Sequence, residues 1–192
     1  MNGRPRILVV VDMQVDFLTG ALKNLDAARK VPYIAGEIRT GNYDRIFLTK
    51  DGHDDSYLST NEGRHLPVPH CLYGTPGYMI APAIVDAAYE TVPDGVSIIP
   101  KNSFGSQLLA DSIVAKNPRS VTFVGTCTDI CVVSNVILTK TKLAEAGFQD
   151  VDVYVIPELC SGTSKEAHDA AIAVMASCQA VMAKPSYDGG AD

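Results

Sequence analysis

The chain has 192 residues, 46% hydrophobic and 20% charged, an ordinary composition for a globular protein with a sizeable core. Its formal charge of −6, from 22 acidic against 16 basic residues, and the lack of a Lys/Arg cluster argue against a nucleic-acid surface. No apolar run approaches the roughly 18 residues that span a bilayer. Ile7–Val11 is too short for the apolar core of a signal peptide. The five cysteines at 71, 127, 131, 160 and 178 form an odd set without metal-knuckle spacing, so the expectation is a reduced, cytoplasmic protein with no membrane partner.

Strand-like apolar runs alternate with helical periodicity. In chain order the pattern predicts strand Ile7–Asp12, helix Ala27–Thr40, strand Arg45–Thr49, helix Ala81–Tyr89, strand Val96–Pro100 and helix Ser106–Lys116. It continues with strand Ser120–Gly125, helix Asp129–Ala146, strand Val151–Ile156, helix Ser164–Cys178 and strand Ala180–Ala183. Near-continuous Val/Ile runs mark strands buried on both faces, as parallel strands are. The expected fold class is α/β: a three-layer α/β/α doubly wound sheet of about six mostly parallel strands, in one domain over residues 1–192. The stretch Lys50–Met79 breaks the pattern. About thirty residues without periodicity are usually functional or disordered, and its three histidines and several acids favour function. Ser186–Asp192 reads as a frayed tail.

In such sheets ligands bind beyond the carboxyl ends of the strands. Asp12 ends the first strand, Asp51 follows the second, Lys101 the third, and Cys131 opens the helix after the fourth. In Gly125-Thr126-Cys127-Thr128-Asp129-Ile130-Cys131-Val132, a cysteine in the first helical turn meets unpartnered N–H groups and the positive end of the macrodipole, which favour thiolate. Each residue has a bland alternative: an inert core cysteine, a capping aspartate, a solvated lysine. Together they make acyl-transfer machinery, in which thiol attacks carbonyl carbon, carboxylate shuttles the proton and ammonium stabilises charge. No strand-end histidine is available, so Asp12 is the base, which requires a raised pKa or coupling to the thiol. Cys127 as nucleophile, or a Cys127/Cys131 redox pair, is the rival, although the spacing is not that of a Cys-x-x-Cys motif.

The segments Val11-Asp12-Met13-Gln14-Val15-Asp16-Phe17, Pro100–Ser106 around Lys101, and Gly125–Val132 resemble the isochorismatase-like cysteine hydrolases, in their nicotinamidase and pyrazinamidase branch. The motifs arrive in family order over nearly the whole chain. The resemblance implies a triad of Asp12, Lys101 and Cys131. It also implies a non-proline cis peptide at Thr126–Cys127, aiming the Cys127 N–H beside that of Cys131 at a developing oxyanion. Homo-oligomerisation is a further implication.

In the long loop, Asp51, His53, Glu62, His65 and His70 supply O and N ligands suited to a divalent transition metal, zinc first, with iron or manganese also accepting them. Turn-forming polar residues are the plain alternative. The resemblance pairs the Asp-x-His of Asp51 and His53 with the Pro-x-His ending at His70. Glu62 is read as the intervening ligand, His65 as its alternative, and Cys71 is not counted. By the same resemblance the metal anchors a ring nitrogen of the substrate. Generation of hydroxide is the competing role.

Phe17 and Phe104, beside Asp12 and Lys101, could sandwich a flat ring or be core residues. Ile130 adds a wall by analogy. Gln14 is read as organising its turn, and His168 as a surface residue. The function implied is release of ammonia from a small planar carboxamide such as nicotinamide or pyrazinamide. The alternatives are a carbamoyl or ureido substrate, or a non-catalytic metabolite-binding domain. A nucleotide-binding reading is weaker, because the first strand leads into Asp12-Met13-Gln14 and not a Gly-rich turn.

Overall fold

A computed structural model describes residues 3–187. Six strands, β1 (Arg6–Val11), β2 (Arg45–Asp51), β3 (Val96–Lys101), β4 (Ser120–Thr126), β5 (Asp152–Ser161) and β6 (Val181–Met182), form one sheet in the order β3-β2-β1-β4-β5-β6. Every pairing is parallel. Seven helices are interleaved among the described residues: α1 (Val15–Leu18), α2 (Leu25–Thr40), α3 (Asn61–His65), α4 (Pro82–Thr91), α5 (Gln107–Ala115), α6 (Val133–Glu145) and α7 (Lys165–Ser177). The doubly wound α/β/α expectation is met, with strand order reversing between β1 and β4.

Alternation along β1 explains the layers. Ile7, Val9 and Val11 face one core with Leu109 and Ile113 of α5, Val136 and Leu143 of α6, and Met175 of α7. Leu8 and Val10 face the other, with Ala27, Ile34 and Ile38 of α2 and Ile84 and Ala87 of α4. Burial of each large aliphatic side chain contributes about 1.5–3 kcal/mol. Polar residues start the helices where the sequence supplies them. Asn24 caps α2 by accepting from the amides of Asp26 and Ala27, Ser106 caps α5 through Leu109, and Ser164 caps α7 through Ala167.

Several boundaries differ from those read in sequence. β2 and β3 continue to Asp51 and Lys101, so these residues end their strands instead of following them. The Lys50–Met79 segment is ordered: it holds 3₁₀ turns at Tyr57–Ser59 and Pro76–Tyr78, α3 capped by Thr60, and a parallel bridge between His53 and Leu72. Ser186 donates its amide to Glu37 at 2.5 Å and Tyr187 packs against Tyr33, so the expected fraying does not begin there. Residues 188–192 of that tail lie outside the described residues.

At the carboxyl end of β4 the pairing with β5 slips between Phe123 and Gly125, partners Val155 and Cys160. Gly125 there has φ +122°, and a Cβ on it would lie 2.2 Å from the Val11 carbonyl oxygen. Neither the dihedral nor the gap admits a side chain. Gly125→Ala is therefore expected to lose roughly 3 kcal/mol of stability, read as a shifted midpoint in urea or thermal unfolding. An unchanged midpoint would show that β4 and β1 can part without cost.

Candidate active site

The register of β2 against β3 pairs Asp51 with Lys101 across neighbouring strand ends. The buried Lys101 Nζ then lies 3.3 Å from Asp51 Oδ1, 2.6 Å from Asp12 Oδ2 and 3.6 Å from Cys131 Sγ. Asp12 follows β1 with φ +49°, a left-handed conformation that Asp tolerates better than most residues. Its amide donates to Thr49 Oγ1 at 3.1 Å, and the Thr49 hydroxyl donates to Asp12 Oδ1 at 2.5 Å. One carboxylate oxygen is thereby tethered while the other faces the ammonium.

Cys131 lies in a π turn, Thr128–Val132, that precedes α6 in place of an ordinary first α turn. The Cys127 carbonyl accepts from the amides of both Ile130 and Val132, each at 3.1 Å. The Thr126–Cys127 peptide is cis. Side chains brace this turn. Asn135 Nδ2 donates to the Cys131 carbonyl at 2.8 Å and to that of Phe104 at 3.1 Å, while its Oδ1 accepts from the Ser106 amide at 2.9 Å. Asp129 accepts from the amide and hydroxyl of Thr163 at 2.8 and 2.5 Å. His168 is half-buried, with Nδ1 2.9 Å from Thr128 Oγ1, and so is not the free surface residue expected. Asn135 and Thr49 escaped the sequence reading; the available signal was a lone polar residue among buried neighbours, four positions after Cys131 in the case of Asn135.

Burial decides the charge states. It pushes the Cys131 thiol well above its usual range, Asp12 pushes the same way, and Lys101 only partly opposes them. Desolvation thus opposes the helix-terminal effect that favours thiolate. Burial also raises the Asp12 carboxyl, against Lys101 and the Thr49 hydrogen bond. For Lys101, burial works against the charge, but Asp12, Cys131 and Asp51 prevail and raise its pKa. The arrangement keeps the ammonium charged and pairs the thiol with a carboxylate of unusually high proton affinity.

The other oxygen of Asp51 faces a second cluster. Asp51 Oδ2 lies 2.9 Å from His53 Nε2 and 3.5 Å from His70 Nε2. Burial alone would raise the Asp51 carboxyl, but His53, His70 and Lys101 hold it well below the usual carboxylate range. Glu62 Oε1, on α3, lies 3.9 and 3.7 Å from the same two nitrogens. His70 Nδ1 is 2.8 Å from the Val68 carbonyl, a partner for an N–H that leaves Nε2 as the lone-pair donor. Asp51, His53 and His70 offer ligand atoms all within 4.8 Å of one another. Two carboxylates and two imidazoles converging this way suit a divalent cation. His65 instead points its Nδ1 at the Asn61 carbonyl (2.8 Å) and is exposed, so Glu62 is the residue beside the cluster.

Gln14 clamps this strand end, donating to the Asp51 and Tyr78 carbonyls at 2.8 and 3.0 Å and accepting from the Asp51 amide at 2.7 Å. Tyr57 is buried edge-on against His53 and His70, with ring centroids 4.7 and 5.0 Å away. Cys131 of the first cluster and Asp51, His53, Glu62 and His70 of the second line one cleft of about 1360 Å³, whose lining also includes Phe17, Phe104, Cys127 and Ile130. Phe17 is buried with its ring 5.5 Å from that of His70. Phe104 is 48% exposed and stands at the mouth.

A profile of the isochorismatase domain matches residues 6–185. The chain belongs to the isochorismatase family of hydrolases. Among solved structures it is similar to PnC1 from L. infantum in complex with nicotinate, at 20% identity over 93% of this chain and 92% of that one, TM-score 0.76. The pyrazinamidase of Pyrococcus horikoshii in complex with zinc shares 23% identity over 93% and 98%, TM-score 0.73. N-carbamoylsarcosine amidase from Thermoplasma acidophilum shares 20% over 96% and 99%, TM-score 0.69. At these identities the solved structures speak for the shared fold. No curated protein sequence matches the chain. No helix among the described residues is long and apolar enough to cross a membrane.

Proposed function

We propose that this isochorismatase-family hydrolase is a cysteine amidohydrolase that releases ammonia from a small planar carboxamide, nicotinamide being the leading candidate. The observation that carries the reading is Lys101 Nζ within 3.6 Å of Cys131 Sγ and 2.6 Å of Asp12 Oδ2, at a cleft shared with the Asp51/His53/Glu62/His70 cluster. Asp12 takes the thiol proton as Cys131 sulfur bonds to the amide carbon. The Cys127 and Cys131 amides receive the oxyanion. Asp12 returns the proton to nitrogen, the C–N bond breaks and ammonia leaves. Water then attacks the thioester carbon while Asp12 accepts its proton; the C–S bond breaks, Asp12 returns the proton to the Cys131 sulfur, and the carboxylic acid leaves. Lys101 remains charged throughout and offsets the negative charge that moves between Asp12 and Cys131.

A divalent cation held by Asp51, His53, Glu62 and His70 would supply a Lewis-acid contact for a ring nitrogen of the substrate. Phe17 and Phe104 would flank the ring and Ile130 would close a side. The likeness to an N-carbamoylsarcosine amidase keeps a ureido substrate as the second reading. Ammonia release by purified protein from nicotinamide, pyrazinamide and N-carbamoyl compounds, with and without chelator, separates the two. The expected result is preference for the ring carboxamides, with chelation lowering the rate at least about 10-fold and added Zn²⁺ restoring it. Turnover confined to ureido compounds and indifferent to chelator would overturn the proposal.

A further inference from the structure

Asp16 belongs to the same sequence motif as Asp12 and Gln14, yet nothing in the proposed chemistry uses it. The geometry points to Asp16 as a positioning residue that sets the His53 and His70 imidazoles for a divalent cation, which rests on reading Asp51, His53, Glu62 and His70 as metal ligands. Its carboxylate reaches from α1 into the long loop, where Oδ2 accepts from the Cys71 amide at 2.8 Å and Oδ1 accepts from the Ala21 amide at 3.1 Å. Cys71, the neighbour of His70, has φ +47°, a conformation that a non-glycine residue keeps only when its surroundings impose it.

Cys71 is also the joint between the two histidine segments. Its carbonyl accepts from the His53 amide at 3.1 Å, and the Tyr73 amide donates to the His53 carbonyl at 2.9 Å. Asp16 therefore grips the amide of a residue whose carbonyl grips His53, with His70 one residue away. Space around the carboxylate is closed. A Cβ on Gly77 would fall 2.1 Å from Asp16 Oδ2, so that position must lack a side chain for the carboxylate to stay. Phe17, next in the chain, carries the same alignment through its ring contact with His70.

A carboxylate suits this place because two N–H groups converge on it and charge-assisted bonds outlast neutral ones. An Asn there offers one acceptor oxygen and turns an N–H₂ toward the second amide. Groups that hold a ligating side chain directly are worth about 10–100-fold in metal affinity, and Asp16 acts on the same side chains through the backbone that carries them.

The test is Zn²⁺ affinity of the purified full chain by competition with a chromogenic chelator, together with the visible spectrum of the Co²⁺-loaded protein. Asp16→Ala is expected to weaken Zn²⁺ binding by about 10–100-fold and to shift the Co²⁺ bands, with Asp16→Asn in between. Gly77→Ala, which pushes on the carboxylate from behind, is expected to weaken binding in the same direction. If Asp16→Ala does not fold, the Asn and Gly77 variants decide. Wild-type affinity and an unshifted Co²⁺ spectrum in these variants, whatever their melting temperatures, would overturn the role of Asp16 while leaving the metal site standing. Wild-type protein that binds neither ion would overturn both.

Discussion

Cys131→Ala is expected to fold as the wild type does and to lose ammonia release from nicotinamide by on the order of 10⁴-fold or more. Cys131 is 7% exposed and lines the cleft, so removal of its sulfur leaves a small gap beside space already open. The π turn is held by contacts that do not involve Sγ: the Cys127 carbonyl with two amides, Asn135 on the Cys131 carbonyl, and Asp129 on Thr163. Far-ultraviolet circular dichroism and the unfolding midpoint check the fold; a coupled ammonia assay checks turnover. Substantial ammonia release by this variant, especially alongside a dead Cys127→Ala protein, would move the nucleophile to Cys127 and sink the assignment.

Asp51 makes the two clusters one electrostatic unit. Its Oδ1 faces Lys101 at 3.3 Å and its Oδ2 faces His53 at 2.9 Å. A cation held at the histidines would therefore draw on the same carboxylate that helps keep Lys101 charged. In the proposed mechanism this sets substrate placement and proton transfer by a single strand end, and Gln14, bonded to both the amide and carbonyl of Asp51, fixes that end in place.

The gathering of Asp12, Asp51, Lys101 and Cys131 was legible in the sequence because a parallel α/β sheet brings the carboxyl ends of its strands to one edge. Strand lengths were less legible. Asp51 and Lys101 are polar, so the apolar pattern stops short of them although the ladder continues. β5 likewise runs through Pro157 and Glu158 to Ser161, residues that usually end a strand. The loop looked structureless because its order comes from contacts distant in sequence: Tyr57 packs against His53 and His70, and Asp16 bonds to Cys71. No periodicity records such contacts. The π turn is hidden for another reason, since one wider turn barely alters the spacing of apolar residues in the helix that follows. The influences on the Cys131 thiol divide in the same way. The helix terminus at Cys131 is visible in sequence, whereas the burial that opposes it belongs to the fold.

Lys101→Met should destabilise the protein by about 3–5 kcal/mol, because it strands the buried Asp12 carboxylate without its counter-charge. For a chain of this size that is a fall in melting temperature on the order of 10 °C. The sign of its pH dependence follows from Asp12. Burial places the native carboxyl above its unfolded value, so its contribution to stability is full below the ordinary carboxylate range and is lost as pH rises through the raised value. Lys101 is the chief influence holding that value down, and without it the loss deepens. The deficit of the variant relative to wild type should therefore be larger at about pH 8 than at about pH 5, measured by thermal unfolding in chelator so that metal binding does not enter the comparison. Asp12→Asn combined with Lys101→Met removes both charges and is expected to recover most of the lost stability while remaining inactive. A single variant that melts with the wild type at both pH values would mean that Lys101 does not balance Asp12, and the charge arrangement on which the proposed proton transfer depends would fall with it.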